Sequence, residues 1–202
     1  MKIIWNGHAC FTLETAEGTA VFDPYSPNTV PGFTLPELTV DAVFCSHGHG
    51  DHNYSEGVKL SGKEPSFKVK QIPSFHDDCS GEKRGSNLIT VICAEGLTVA
   101  HFGDLGHQLS AEQLSQIGHV DIMLVPVGGF FTINAAEAKQ ACDAVGAKVI
   151  IPMHYRGKGF GYDKIGTVEP FVDLFDRKMI TRLPSYELEL SSADEKRVIV
   201  FG

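Results

Sequence analysis

The sequence predicts a single α/β (α+β) domain over residues 1–202, with a two-sheet core and helices outside. Three observations predict it. Short apolar segments of strand type run from the first residues to the last. A few stretches of helical pattern fall between them. Groups rich in His and Asp recur just past the ends of apolar segments, so that a strand-then-ligand unit is used several times.

The elements follow in order. Lys2–Trp5, Cys10–Glu14 and Thr19–Phe22 read as an antiparallel meander, with turn signals at Asn6-Gly7 and Glu17-Gly18. Asp23 follows the third strand and reads as a turn residue first, and as an acceptor orienting a ligand His second. Pro24, Pro27, Pro31 and Pro36 deny regular structure to the next loop, which passes over the surface or over a site. Asp41–Cys45 reads as a buried strand, Asn53–Lys59 as one or two helical turns, and Phe67–Ile72 as a strand. The loop from Pro73 to Asn87 is too polar for a core and carries His76. Asn87–Cys93 and Leu97–Phe102 form a hairpin across Ala94-Glu95-Gly96, which empties into Gly103-Asp104. Ser110 caps a helix to Ile117, ended by Gly118, and Asn134 caps another to Val145, ended by Gly146. Val120–Val127 and Lys148–Pro152 are buried strands, and His154 stands just beyond the second. Val168–Phe175 is a short amphipathic helix, and Tyr186–Leu190 and Arg197–Phe201 close the chain as strands.

The densest chemistry is His47-Gly48-His49-Gly50-Asp51-His52. Alternate residues of an extended chain point the same way, so His47 and His49 can face one point. The glycines let the backbone bend there, and Asp51 and His52 approach from a second direction. Such nitrogen and oxygen donors suit Zn²⁺, with Mn or Fe as alternatives. His76, Asp104 and His154 each follow a strand and extend the candidate ligand set to seven. His8, His101, His107 and Cys79 have no assigned role; His101 falls inside a strand, where a satisfied core histidine is one reading.

Composition sets limits. The chain has 43% hydrophobic and 21% charged residues and a formal net charge of −8. That balance opposes long polyanions such as nucleic acid as partners. No apolar run reaches the ~20 residues that span a bilayer, and the N-terminus turns polar too early for a signal peptide, so the expected location is the cytoplasm. Five cysteines without a CxxC read as reduced thiols.

His-x-His-x-Asp-His resembles the signature of the metallo-β-lactamase fold superfamily, and the order of His76, Asp104 and His154 after it continues the resemblance along nearly the whole chain. The resemblance implies an αββα sandwich of two mixed β-sheets with helices on the outer faces. It implies His47, His49 and His76 on one metal, Asp51, His52 and His154 on a second, and Asp104 bridging them. The implied activity is that of a dinuclear hydrolase, in which a metal-bridging hydroxide cleaves a small ester, lactone or phosphodiester, with Asp51 and Asp104 as catalytic carboxylates. His49 stands where flavodiiron enzymes carry Glu, and the long arm of tRNA-processing members has no counterpart. The segments around His76, Asp104 and Pro126–Thr132 are most similar to a small bacterial and archaeal branch near L-ascorbate-6-phosphate lactonase and the N-acyl-phosphatidylethanolamine-hydrolysing phospholipase D. For substrate, Phe130, Phe131 and Thr132 offer an apolar wall with one hydroxyl, and Tyr155 follows a ligand. Arg84 is the preferred contact for an anionic small molecule, ahead of Arg156, Lys158 and Lys164. Two other readings compete: a structural or sensory metal site, disfavoured because seven candidates exceed the four ligands of a closed site, and a nucleic-acid processing hydrolase, opposed by the acidic charge.

Overall fold

In a computed structural model, which describes residues 1–202, the chain begins with β1 (Lys2–Gly7), β2 (Cys10–Thr15), β3 (Gly18–Phe22), β4 (Thr39–Val40), β5 (Ala42–Phe44), β6 (Lys59–Leu60) and β7 (Lys68–Phe75). It continues through β8 (Ser86–Ala94), β9 (Leu97–His101), α1 (Ala111–Ile117), β10 (Ile122–Pro126), α2 (Ala135–Val145), β11 (Val149–Met153) and α3 (Glu169–Val172). It closes with β12 (Ile180–Leu183), β13 (Glu187–Glu189) and β14 (Arg197–Phe201). Five strands form one sheet in the order β13-β1-β2-β3-β5, and seven form a second in the order β12-β14-β11-β10-β9-β8-β7.

Both sheets are mixed. The meander β1-β2-β3 is antiparallel, as its turn signals predict, and β5 adds in parallel to β3 with Phe22 opposite Phe44. In the larger sheet β9, β10, β11 and β14 run parallel, joined through α1 and α2, whereas β7-β8-β9 is antiparallel. Period-2 alternation then divides the residues of the small sheet. Phe11, Leu13 and Phe22 face the larger sheet and join the main core, while Cys10 and Val21 face outward. The helices lie on the seven-stranded sheet: α1 contacts β7, α2 contacts β10, and α3 contacts α2. The outer face of the five-stranded sheet is covered instead by Tyr25, Val30, Val40 and Val58 from the Pro-rich loop and the β4-β6 ribbon. Capping boxes at Ser110/Gln113 and Asn134/Glu137 start α1 and α2.

Several elements differ from expectation. Residues 53–59 form only a 3-10 turn at Ser55–Gly57, because Val58 turns into the small core and Lys59–Leu60 pairs with β4. Asp41–Cys45 is shorter and half-buried, since β5 is a sheet edge. Strand β7 runs on through Pro73 to Phe75, which an edge strand tolerates because a missing N–H there costs no ladder bond. The helix expected to Phe175 stops at Val172 and tightens into i→i+3 bonds from Leu174 and Phe175. Edge strand β12, with Thr181 and Arg182 exposed, carried no apolar run by which to see it.

Candidate metal centre

Strand direction gathers the donors. Because β9, β10 and β11 are parallel, their carboxyl ends share one edge, and the chain leaves β9 into Asp104 and β11 into His154. The parallel pair β3/β5 brings Asp23 and the Ser46–His52 segment to that edge, and β7 delivers His76. The turn between β1 and β2 adds His8.

Two donor groups result. His47, His49 and His76 form an outer group, and His8, Asp51, His52 and His154 an inner one, with the ligand atoms of each group within 4.8 Å of one another. Asp104 stands between them. Its Oδ2 lies 3.1 Å from His76 Nε2, 3.2 Å from His154 Nε2, 3.3 Å from His52 Nε2 and 3.9 Å from His47 Nε2. Donors held at the ~2.0–2.1 Å of zinc–nitrogen and zinc–oxygen bonds in a tetrahedron stand about 3.3 Å apart, so these spacings fit a first coordination shell. The orphaned polar atoms agree: His8 Nδ1 and Nε2, His47 Nε2, His52 Nε2 and Asp104 Oδ1 are buried without a hydrogen-bond partner. Buried polar atoms are almost always paired, and a cation satisfies such nitrogens and oxygens together.

Charge is distributed unevenly among the donors. Burial, and then the charge of His52, push the His47 imidazole down to about 3. Burial and His154 push His8 down to about 4. Both rings are therefore neutral, the form that ligates. His52 behaves oppositely: burial opposes its charge, but Asp104 and Asp23 outweigh burial and raise it well above the ordinary value. Asp104 is held well below the carboxylate range by His154 and His52 against burial. Asp51 is lowered in the same way by His8 and His52.

Surrounding residues fix the donors in place. Asp23 is a buried acceptor and not a simple turn residue. Its Oδ1 takes the Ser46 N–H at 2.6 Å, and its Oδ2 takes the Ser46 hydroxyl at 2.7 Å and His52 Nδ1 at 2.8 Å. A proton on Nδ1 leaves the His52 Nε2 lone pair facing Asp51 and Asp104. Asn87 Oδ1 accepts the Asp104 N–H. Asp77 gathers the N–H groups of Cys79, Gly81, Lys83 and Arg84, which orders the loop after His76. Gly106 lies so close to the His76–Asp77 peptide that no Cβ fits.

A cavity of about 350 Å³ opens over the donors. His49, Asp51, His76, Asp104 and His154 form its floor, and Arg84, Phe131 and Tyr162 form its walls. Arg84 and Phe131 thus stand where a substrate contact is expected. Arg84 donates from Nη2 to the Phe130 carbonyl at 3.0 Å and lies over the Phe131 ring. Two expected contacts are corrected. Thr132 is buried, its hydroxyl turned to the Ile133 carbonyl. Tyr155 points into the core, stacked on Trp5 with its hydroxyl donating to the Phe201 carbonyl. Arg156 and Lys158 line a separate groove. His101 is a core residue, stacked on Phe22 and paired with the Ala9 carbonyl, and His107 accepts from the Phe75 N–H.

Sequence reasoning missed His8 and Tyr162. His8 fits the strand-then-ligand pattern, but Asn6-Gly7 read as a hairpin turn hid it. The single Tyr162 hydroxyl proton has two acceptors in reach, Thr29 O at 2.6 Å and Asp51 Oδ2 at 3.1 Å. With Gly161 N bonded to Pro31 O, it ties the Pro-rich loop to the 156–166 loop.

Residues 2–154 match the family model described as beta-lactamase superfamily domain. A UPF0173 metal-dependent hydrolase of Carboxydothermus hydrogenoformans is 32% identical over 191 residues, covering 77% of this chain and 84% of the relative. Another, from Alkaliphilus metalliredigens, is 30% identical over 197 residues, covering 77% and 85%. A crystal structure from Thermotoga maritima, assigned to the Zn-dependent hydrolases of the metallo-beta-lactamase superfamily, superposes with a TM-score of 0.81 at 38% identity, covering 99% of this chain and 97% of the other.

Proposed function

The chain belongs to the beta-lactamase superfamily domain family, and from that premise we propose that it is a metal-dependent hydrolase holding two divalent cations and cleaving a small ester, lactone or phosphodiester. The observation that carries this reading is the place of Asp104, whose single Oδ2 is shared between the outer and inner donor groups. Seven residues expected from the sequence would hold the ions: His47, His49 and His76 on one side, Asp51, His52 and His154 on the other, with Asp104 common to both. Zn²⁺ suits this donor set, and Mn or Fe are the alternatives. Cations bound there supply an acidified water as nucleophile and positive charge opposite a developing oxyanion.

The remaining work falls to the chain's own residues. The small cavity limits the substrate to a small molecule or to the tip of a larger one. Arg84 binds an anionic group of that substrate through the guanidinium N–H groups not spent on Phe130, and Phe131 packs against its apolar part. Asp51, lowered and therefore ionised, borders the cavity and is placed to take a proton and hand it to the leaving group, with the Tyr162 hydroxyl beside its Oδ2.

The test is metal content by elemental mass spectrometry on untagged protein, followed by hydrolysis of lactones, esters and phosphodiesters before and after chelation. About two ions per chain, with activity lost to chelator and restored by the ion, is the expected result. A chain that takes up no ion from Zn²⁺ or Mn²⁺ would sink the reading.

A further inference from the structure

His8 is the one donor in either group that the motif and its continuation leave out. Its position is costly. The residue sits in the Gly7-His8-Ala9 turn at φ +55°, a left-handed conformation that glycine or asparagine fills with less strain. The fold imposes it from three sides. Trp5 Nε1 and the His154 N–H both donate to the His8 carbonyl, at 3.0 and 3.3 Å, and the His101 ring pairs with the next carbonyl, Ala9 O, at 2.8 Å.

The ring that this turn presents is 1% exposed, and neither of its nitrogens has a hydrogen-bond partner. It packs 4.1 Å from the His154 ring, and its Nε2 stands 3.5 Å from Asp51 Oδ2. That is the edge length of a coordination shell, close to the spacings around Asp104. A buried imidazole with two unmatched nitrogens is destabilising, because each has given up water without gaining a partner. His8 does not line the cavity, so it touches no substrate and has no proton to exchange with one. What remains within its reach is an ion at the inner group.

We propose that His8 is a fourth protein donor of the inner centre, beside Asp51, His52 and His154, and that this centre retains its ion while the outer centre exchanges its own. This rests on the metal reading above and goes beyond it by ranking the two sites. The inner centre has three rings, His8, His52 and His154, that are all but inaccessible, and with Asp104 it offers five donors. The outer centre offers His47, His76 and the exposed His49, with the same Asp104. More donors and less solvent make the inner ion the slower to leave.

The direct experiment uses the wild-type chain, labelled with ¹⁵N-histidine and loaded with ¹¹³Cd²⁺. Coupling between cadmium and nitrogen is expected in six rings, those of His8, His47, His49, His52, His76 and His154. Five coupled rings, with His8 uncoupled, would overturn the role of His8 and leave the dinuclear reading intact. No coupled ring at all would overturn both. The matching variant is His8→Asn, chosen because asparagine accepts the left-handed backbone. In a competition against a chromophoric chelator, it should raise the Kd of the tighter Zn²⁺ site by more than about 100-fold, the upper end of what losing a mere outer partner of a ligand costs. Chelator-driven release should change from a slow and a fast phase to fast phases only. An unchanged Kd for both sites would refute the proposal.

Discussion

Asp23→Asn isolates one link between the fold and the metal centre, because it removes a charge while preserving shape. In the wild type the carboxylate accepts three hydrogen bonds, from the Ser46 N–H, the Ser46 hydroxyl and His52 Nδ1. An asparagine has one acceptor and one donor end for the same three partners. If its oxygen stays on the obligatory Ser46 N–H, its amide faces His52 Nδ1, which must then become the acceptor. The ring proton moves to Nε2, the atom 3.3 Å from Asp104 Oδ2, and that nitrogen can no longer ligate. If the amide flips, a buried Ser46 N–H is orphaned. Either arrangement costs about 1–3 kcal/mol. At ~1.4 kcal/mol per tenfold, that weakens the inner ion by roughly 5- to 150-fold. Titration of the metal-free chain with Zn²⁺ against a competing chelator reads this directly. The outer ion, whose ligands do not touch Asp23 through a ring nitrogen, should change much less. An inner affinity equal to the wild type would show that Asp23 does not set the His52 tautomer.

Three further outcomes follow from the same geometry. Arg84→Ala should raise KM for anionic substrates by about 10- to 100-fold, the worth of a charge-assisted hydrogen bond, and leave neutral esters nearly unaffected; an equal effect on both would assign Arg84 to holding Phe130. Loading the metal-free chain at pH 7 should release protons, one of them from His52. Its raised value keeps it protonated below that value, whereas His8 at about 4 and His47 at about 3 are already neutral. Calorimetry in two buffers of different ionisation enthalpy measures the release, and heats independent of buffer would contradict it. Zn²⁺ at 100 times its Kd should stabilise the fold by about 2.7 kcal/mol per site, or roughly 5–10 °C in Tm for a chain of this size, and an unchanged Tm would mean that the donors do not gather an ion.

How much of the centre could be read in advance depended on the distance over which each residue acts. His47, His49, Asp51 and His52 stand within six residues, so spacing alone brings them near one point. His76, Asp104 and His154 were legible by a weaker signal, a polar residue just past a strand, which works because parallel strands bring their ends to one edge. The same signal applied to His8, but the local turn chemistry of Asn6-Gly7 explained that stretch too well. In fact β1 runs through Gly7, with a bulge between Trp5 and Gly7. Tyr155 failed for the opposite reason. It adjoins His154 in the chain, yet φ +55° at His154 rotates the backbone so that one side chain meets the centre and the next enters the core against Trp5. Asp23 reads as a turn residue first and as an acceptor orienting a ligand His second; that order is wrong because its three partner groups, on Ser46 and His52, lie more than twenty residues away. The sheet order and the helix-free outer face of the smaller sheet were likewise settled by contacts far apart in sequence.

The strained residues show why this edge is stiff. Seven non-glycine residues have left-handed backbones, and four of them, His8, Asp23, Phe130 and His154, are at the centre or its rim. Each such residue costs about 1–3 kcal/mol, and it persists only where its surroundings leave no alternative. Here those surroundings are identifiable. The His8 carbonyl is held by Trp5 and His154, the Asp23 carboxylate by Ser46 and His52, and the Phe130 carbonyl by Arg84. Gly128 lets the neighbouring chain pass against the His154 carbonyl, where a side chain would collide. One of these contacts, from the His154 N–H to the His8 carbonyl, joins the two sheets, and the others join neighbouring loops at the same edge, so the donors are positioned by several loops together and not by any one. A centre built this way keeps its donor spacings before an ion arrives, which lowers the ordering cost of binding. It also ties the two sheets together at the edge where the cavity opens.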